Sequence, residues 1–86
     1  MSQPEIVMYS SRFCPFCVRA KALFTKKKLQ FEEILIDQQP DIRRKMMVES
    51  GRHTVPQIWI GDSHIGGCDE LLALEKEDKL EGLLVV

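Results

Sequence analysis

The hydrophobic pattern of this chain changes abruptly near residue 14, and the change restricts the folds available to it. Residues 5–10 form a short run of β-branched, aromatic and other apolar residues that predicts a buried strand. From Pro15 onward, Ala20, Leu23 and Phe24 recur at helical spacing, which predicts a helix of about 13 residues. Residues 30–36 alternate as a second strand. Strand, helix, strand predicts a parallel crossover.

The rest of the chain predicts two more helices, a hairpin and a short C-terminal helix. Pro40 begins a helix that places Ile42, Met46 and Met47 inward and ends near Gly51 in a left-handed cap. Strands at 57–60 and 63–65 flank a Gly61-Asp62 hairpin turn. The third helix has Asp69 as its N-cap and places Leu71, Leu72 and Leu74 inward. A short C-terminal helix follows, with Leu80, Leu83 and Leu84. The order βαβαββα predicts an α/β fold with a four-stranded mixed sheet and helices on both faces.

Length and composition exclude several classes of protein. A chain of 86 residues, 44% hydrophobic and 29% charged, predicts one globular domain over residues 1–86. The longest apolar runs have four residues, so no membrane-spanning helix is expected. The N-terminus carries no export signal, which predicts a cytoplasmic protein. A net charge of −1 removes any argument for general nucleic-acid binding.

Charge is unevenly distributed along the chain. Residues 1–31 hold six basic and one acidic side chain, whereas residues 62–86 hold two basic and seven acidic ones. These charges are either solvated helix faces or a field that steers an anionic thiol.

Two of the three cysteines form the motif Cys14-Pro15-Phe16-Cys17 at the predicted strand-to-helix junction. There the free N–H groups and the positive end of the helix dipole favour a thiolate on Cys14. We therefore expect Cys14 to be the attacking sulfur and Cys17, one turn further, to be the resolving thiol that forms a disulfide with it. Arg12 could add positive potential. The alternative is half a zinc site, completed by Cys68 with His53 or His64.

Two further motifs have the character of a binding site. A proline before the third strand, in Thr54-Val55-Pro56, predicts a cis Val55-Pro56 bond that turns the Val55 backbone outward to pair with an extended peptide. Gly66-Gly67-Cys68-Asp69 leads into a helix N-terminus that could hold a ligand with both a carboxylate and an amine. Cys68 could equally be an inert, partly buried thiol.

These three motifs, in this order and spacing, resemble those of the dithiol glutaredoxins, in particular small bacterial members. The resemblance covers nearly the whole chain and implies a thioredoxin fold with a glutathione groove. It implies that Cys14 is the nucleophile and Cys17 the resolving thiol. It also implies a set of glutathione-binding residues: Arg12, Phe16, Thr54, Val55, Pro56, Gln57, Gly67, Cys68 and Asp69. Ser11, with Arg12 beside it, stands where the family often has a lysine, so the resemblance does not identify the positive charge that would hold the glycine carboxylate of glutathione.

The resemblance further implies an activity, a glutathione-dependent reduction of protein disulfides and of glutathione mixed disulfides. No bound cofactor is expected, because glutathione is a co-substrate and NADPH acts only through glutathione reductase. The implied partners are glutathione and glutathionylated or disulfide-containing proteins, with ribonucleotide reductase as one candidate, and the implied state is a monomer. One alternative is an iron–sulfur carrier, which Pro15 disfavours. The other is a hydrogen donor reduced by thioredoxin reductase.

Overall fold

A four-stranded mixed sheet forms the centre of the computed structural model, which describes residues 4–84. The strands are β1 (Ile6–Ser10), β2 (Glu32–Leu35), β3 (Gln57–Ile60) and β4 (Ser63–Gly66), in the order β2-β1-β3-β4. The strand β1 pairs parallel with β2 and antiparallel with β3, and β4 pairs antiparallel with β3. The predicted crossover and hairpin are therefore confirmed.

Within residues 4–84, four helices cover the sheet: α1 (Pro15–Lys26), α2 (Pro40–Ser50), α3 (Cys68–Lys76) and α4 (Leu80–Leu84). Side chains of α1, α3 and α4 pack on one face with Ile6 and Met8 of β1. Met46 of α2 packs on the other face with Tyr9. Helices on both faces confirm the predicted layers. None of the helices within residues 4–84 is long and apolar enough to cross a membrane.

Local geometry explains where the elements end. Gly51 closes α2 with a φ of 72°, and its N–H donates to Met47 O at 2.9 Å, as the predicted left-handed cap requires. The N-cap of α3 is Gly67, two residues before the predicted Asp69. The prediction was wrong because the Glu70 side chain accepts the Gly67 N–H at 2.6 Å, so the first turn is capped from within the helix.

Two of the residues expected to face inward are exposed. Met47 is 41% and Leu72 is 37% exposed, whereas their neighbours Met46 and Leu71 are fully buried. Adjacent helical residues differ by about 100° around the axis, so only one of each apolar pair faces the sheet.

Candidate active site

Cys14 lies where β1 has ended and α1 begins, at the N-cap of the helix. The backbone N–H of Cys17 donates to Cys14 Sγ at 3.2 Å, and the Cys14 thiol donates to Val55 O at 3.6 Å. An N–H directed at sulfur and the positive end of the helix dipole both stabilise negative charge on Cys14. The geometry suits an attacking or a departing sulfur.

Cys17 has a different environment one turn into α1. Its side chain is 1% exposed, and it is a free thiol, as are Cys14 and Cys68. Burial, followed by the hydrogen bond with Cys14, raises the pKa of the Cys17 thiol to about 11. The two cysteines of the motif are therefore chemically unequal.

A carboxylate holds the loop that connects β1 to Cys14. Asp37 accepts from the Ser11 hydroxyl at 2.7 Å and from the Arg12 backbone N–H at 2.9 Å. These hydrogen bonds, that of Ser11 first, lower the pKa of the Asp37 carboxyl. Ser11 and Asp37 thus anchor the loop that precedes Cys14.

A groove of about 590 Å³ lies beside Cys14. The Val55 carbonyl that faces Cys14 Sγ belongs to its wall, and the Val55-Pro56 bond is cis, as predicted. Phe16 is half exposed on another side, with the Arg19 guanidinium 5.8 Å from its ring centre. The lining residues come from α1, α2, the 52–56 segment and the start of α3: Phe16, Arg43, Arg52, His53, Thr54, Val55, Pro56, Gly67, Cys68, Asp69 and Glu70.

Both signs of charge line this groove. Arg43 donates to His53 O at 3.3 Å and has no carboxylate partner among the described residues. Arg52 is paired with Glu70 at 3.0 Å. The Gly67 N–H, the main cause, and Arg52 lower the pKa of Glu70 although burial opposes them. The cation that remains available to a ligand is therefore that of Arg43.

The start of α3 supplies the other polar part of the groove. Cys68 and Asp69 occupy the first turn of the helix, where backbone N–H groups lack intrahelical partners and attract anions. Cys68 is 3% exposed, and burial, then the Asp69 charge, raise the pKa of its thiol. Cys68 is thus a protonated wall residue at neutral pH.

The structure does not bring two of the expected binding residues to the groove. Arg12 is exposed on the loop, and its side chain lies outside the lining. Gln57 is fully buried, where its amide donates to Thr54 O at 3.0 Å and its Oε1 lies 2.8 Å from His64 Nε2. Gln57 faces inward from β3 and therefore supports Thr54 from below.

Four lining residues were not expected from the motifs: Arg43, Arg52, His53 and Glu70. His53 and Arg52 directly precede the Thr54-Val55-Pro56 motif, and Glu70 directly follows Asp69, so proximity to the motifs was an available signal. Arg43 belongs to a helix remote in sequence. Within residues 4–84 there is no group of three or more His, Cys, Asp or Glu side chains that could hold a metal ion.

Comparison with known sequences identifies the family to which this chain is similar. The family model described as glutaredoxin matches residues 6–65. A glutaredoxin from Pseudomonas aeruginosa is 48% identical over 81 residues, which cover 94% of this chain and 96% of the relative. Glutaredoxin 3 from Escherichia coli K12 is 47% identical over 80 residues, covering 93% and 96% respectively.

Solved structures agree with the sequence matches. The solution structure of a glutaredoxin from Brucella melitensis superposes with a TM-score of 0.86 at 48% identity, covering 98% of this chain and 91% of that one. A crystal structure of a buckwheat glutaredoxin–glutathione complex superposes with a TM-score of 0.85 at 34% identity, covering 95% and 76%. The predicted thioredoxin fold is confirmed.

Proposed function

This chain belongs to the glutaredoxin family, with a thiol oxidoreductase function, and on that premise we propose that it is a glutathione-dependent disulfide reductase acting through Cys14 and Cys17. The observation that supports the proposal most directly is the position of Cys14. Its sulfur receives the Cys17 N–H at a helix N-terminus and lies 3.6 Å from a carbonyl that lines the groove. The proposed nucleophile therefore lies beside the groove that we propose binds the peptide.

The charges of the groove support glutathione as the co-substrate. Glutathione has a carboxylate at its glycine end and both a carboxylate and an ammonium at its γ-glutamyl end. Arg43 would take the glycine carboxylate, while the first turn of α3 and Asp69 would take the γ-glutamyl end. Thr54 and Val55 would pair with the backbone between them, beside Pro56. A relative from buckwheat was crystallised with this tripeptide.

In the monothiol route, the Cys14 thiolate attacks the glutathione sulfur of a glutathionylated protein. The protein thiolate leaves and takes a proton, and Cys14 keeps the glutathionyl group as a mixed disulfide. A second glutathione thiolate then attacks that disulfide, so glutathione disulfide forms and Cys14 leaves as a thiolate. Stabilisation of that thiolate by the Cys17 N–H makes it a good leaving group.

In the dithiol route, the Cys14 thiolate attacks one sulfur of a protein disulfide and forms a mixed disulfide with it, while the substrate S–S bond breaks and the other protein sulfur leaves as a thiolate that takes a proton. Cys17 loses its proton and attacks Cys14 Sγ, which releases the second protein thiol and leaves a Cys14–Cys17 disulfide. Two glutathione molecules then reduce this bond and become glutathione disulfide. Cys17 is close enough, since its N–H already contacts Cys14 Sγ at 3.2 Å.

The proposal extends to the cellular setting. Electrons would come from NADPH through glutathione reductase, with no cofactor bound to this chain. We propose a single-domain monomer in the cytoplasm that reduces glutathionylated and disulfide-containing proteins, with ribonucleotide reductase as one candidate substrate.

The test is an assay of NADPH consumption with glutathione, glutathione reductase and either a small glutathione mixed disulfide or a protein disulfide. We expect Cys14→Ser to reduce both activities to background, since it removes the attacking sulfur. Cys17→Ser should keep the first activity and lose the second, because only the dithiol route needs a resolving thiol. Activity retained by Cys14→Ser would contradict the assignment. If thioredoxin reductase supports the activity and glutathione does not, then thioredoxin reductase is the electron donor in place of glutathione.

A further inference from the structure

A buried amide lies beneath the wall of the groove. Gln57 is the first residue of β3 and is 0% exposed. Its Nε2 donates to Thr54 O at 3.0 Å and lies 3.4 Å from Thr54 Oγ1, while its Oε1 lies 2.8 Å from His64 Nε2. Because a buried amide that loses its partners destabilises the fold, these contacts restrict where the amide can point.

The Thr54 carbonyl determines which way this amide faces. A carbonyl oxygen only accepts hydrogen bonds, so Gln57 must direct its NH2 group at Thr54. The amide oxygen is then directed at His64, and it can only accept. His64 must therefore donate through Nε2–H, and its neutral ring carries the hydrogen on Nε2 and none on Nδ1.

The sheet brings the His64 ring to this amide from β4. Gln57 and Trp59 are two residues apart on β3, so their side chains leave the same face of the sheet. Trp59 pairs with His64 in the antiparallel ladder, and the two rings pack with their centres 4.6 Å apart. Trp59 also contacts the buried Tyr9 ring edge-on, with centres 5.5 Å apart. The His64 ring is thus held by Trp59 as well as by its contact with Gln57.

The surroundings of His64 favour its neutral form. Partial burial, the main cause, and the Arg52 charge lower the pKa of His64, whereas the Glu70 charge raises it. Glu77 and Lys79 line a hollow of about 450 Å³ together with His64, and they pair with each other at 3.0 Å. At neutral pH most His64 rings are therefore uncharged, and the contact with Gln57 sets the position of the ring hydrogen.

The same chain of contacts reaches the wall of the groove. Residues 52–56 belong to no helix or strand, so side-chain contacts are needed to fix their position. Thr54 lines the groove beside Val55, whose carbonyl accepts from the Cys14 thiol at 3.6 Å. The amide of Gln57 therefore ties the backbone next to Cys14 to the body of the sheet.

We propose that His64 is a positioning residue of the glutathione groove. Its Nε2–H holds the Gln57 amide in the one orientation that donates to Thr54, and so fixes the backbone that would pair with the tripeptide. The inference rests on the proposed glutathione-dependent function. His64 does not line the groove, so it acts on the ligand only through Gln57.

Replacement of His64 by phenylalanine keeps a ring against Trp59 and removes the donor. We expect His64→Phe to raise the KM for a small glutathione mixed disulfide roughly three- to tenfold in the coupled assay, the usual effect of one hydrogen bond. The kcat should stay within about twofold of wild type, since the contacts of Cys14 are unchanged.

Two further variants separate the donor from the rest of the side chain. His64→Gln should keep a KM close to that of wild type, because an amide nitrogen can take the place of Nε2 and donate. Ser63→Ala, the exposed neighbour on β4, is the matched control and should also keep the wild-type KM.

Two measurements test whether His64 acts through Gln57. In a Gln57→Leu background, which has no amide to orient, His64→Phe should cause no further increase in KM. In wild type at pH 8, two-bond ¹⁵N–¹H correlation spectra should show the Nε2–H tautomer of His64, whose signals are assigned by their loss in His64→Gln.

Four results would overturn the inference. They are an Nδ1–H tautomer of His64, a wild-type KM in His64→Phe, an increase in KM in His64→Gln as large as in His64→Phe, and an undiminished effect of His64→Phe in the Gln57→Leu background. The tautomer needs no variant protein to be stable, so it tests the inference even if Gln57→Leu does not fold. Failure of the proposed function looks different, because wild type would then turn over no glutathione mixed disulfide whatever the tautomer of His64.

Discussion

Two guanidinium groups line the groove, and their partners distinguish their roles. Arg52 is neutralised by Glu70, which also caps α3 through the Gly67 N–H. Arg43 donates only to a backbone carbonyl, that of His53, among the described residues. Arg43 therefore offers an uncompensated charge to a ligand, whereas Arg52 and Glu70 stabilise the wall.

Replacement of Arg43 by methionine tests this assignment. Arg43→Met should raise the KM for a glutathione mixed disulfide roughly three- to tenfold, since a partly exposed charge pair contributes about 1 kcal/mol. The effect should shrink at high ionic strength, because salt screens exposed charges. Steady-state kinetics in the coupled assay, at low and high salt, measures both.

Arg44→Met is the matched control, because Arg44 is the exposed next residue of α2 and does not line the groove. Its KM should equal that of wild type. Equal increases in the two variants would mean that general positive charge on α2, and not a contact of Arg43, assists binding.

The contrast between Cys14 and Arg43 shows which residues a sequence motif can identify. Cys14, Cys17 and Pro56 lie in short contiguous motifs whose local geometry decides their position, and the structure places them as expected. Arg43 reaches the groove only because α2 packs beside the 52–56 segment. Gln57 was expected in the groove, but the pleat of β3 turns it inward. The position of Arg43 depends on tertiary packing, and that of Gln57 on which face of β3 it occupies, and a short sequence motif shows neither.

At the scale of elements, the turn from β4 into α3 depends on two glycines. Gly66 has a φ of 112°, and a Cβ there would lie 2.7 Å from Glu70 Oε1. A Cβ on Gly67 would lie 3.3 Å from Pro56 O. The chain can therefore pass close to the cis-proline segment and still be capped by Glu70.

Gly66→Ala should destabilise the protein by about 1–3 kcal/mol, because a residue with a side chain is strained at this φ. It should also weaken glutathione binding, since Glu70 must move and release the Gly67 N–H. Urea unfolding measures the first effect and calorimetry the second.

Gly82→Ala provides the matched control within α4, where a Cβ would meet nothing within 4 Å. It should leave stability unchanged or raise it by up to about 1 kcal/mol, because alanine favours a helix. A Gly66→Ala variant as stable as Gly82→Ala would show that the turn tolerates a side chain.

Element order, unlike helix boundaries, could be predicted along the whole described chain. Residue type, periodicity and turn signals together identified every strand and helix from β1 to α4. The start of α3 was misplaced by two residues, since Asp69 and Gly67 are both acceptable N-caps by residue type. The Glu70 side chain makes Gly67 the N-cap because it accepts the Gly67 N–H. The direction of that side chain cannot be predicted from residue type alone.

At the scale of the molecule, the two oppositely charged ends of the chain meet. Lys27, the C-cap of α1, pairs with Glu75 of α3 at 3.0 Å and with Glu81 of α4. Hydrogen bonds to Glu81 and Glu75 raise the pKa of Lys27. These ion pairs connect the basic end of α1 to the acidic helices α3 and α4. The single-domain organisation stays a prediction.

Three carboxylates that connect elements distant in sequence each have a lowered pKa, so each contributes to the response of the fold to acid. Asp37 holds the loop before α1, Glu70 binds Arg52, and Glu33 binds Lys21. Burial would raise the pKa of each carboxyl, but hydrogen bonds and nearby positive charges lower it in the folded protein. The unfolded chain therefore binds protons at a higher pH than the folded one does.

We accordingly predict that these carboxylates make the free energy of unfolding decrease as pH falls below about 4.5, the ordinary pKa of Glu. A separate decrease begins near pH 6.5, because burial lowers the pKa of His64 in the folded protein. The free energy of unfolding continues to decrease until the pH is below the lowered pKa values of these carboxyls in the folded protein. Urea unfolding at pH 7 and at pH 3.5 measures it. The double variant Asp37→Asn/Glu70→Gln should lose stability at pH 7 and show a smaller difference between the two pH values. Asp62→Asn, in the exposed hairpin turn, should keep the wild-type difference. A double variant with the full wild-type difference would place the acid sensitivity in other carboxylates.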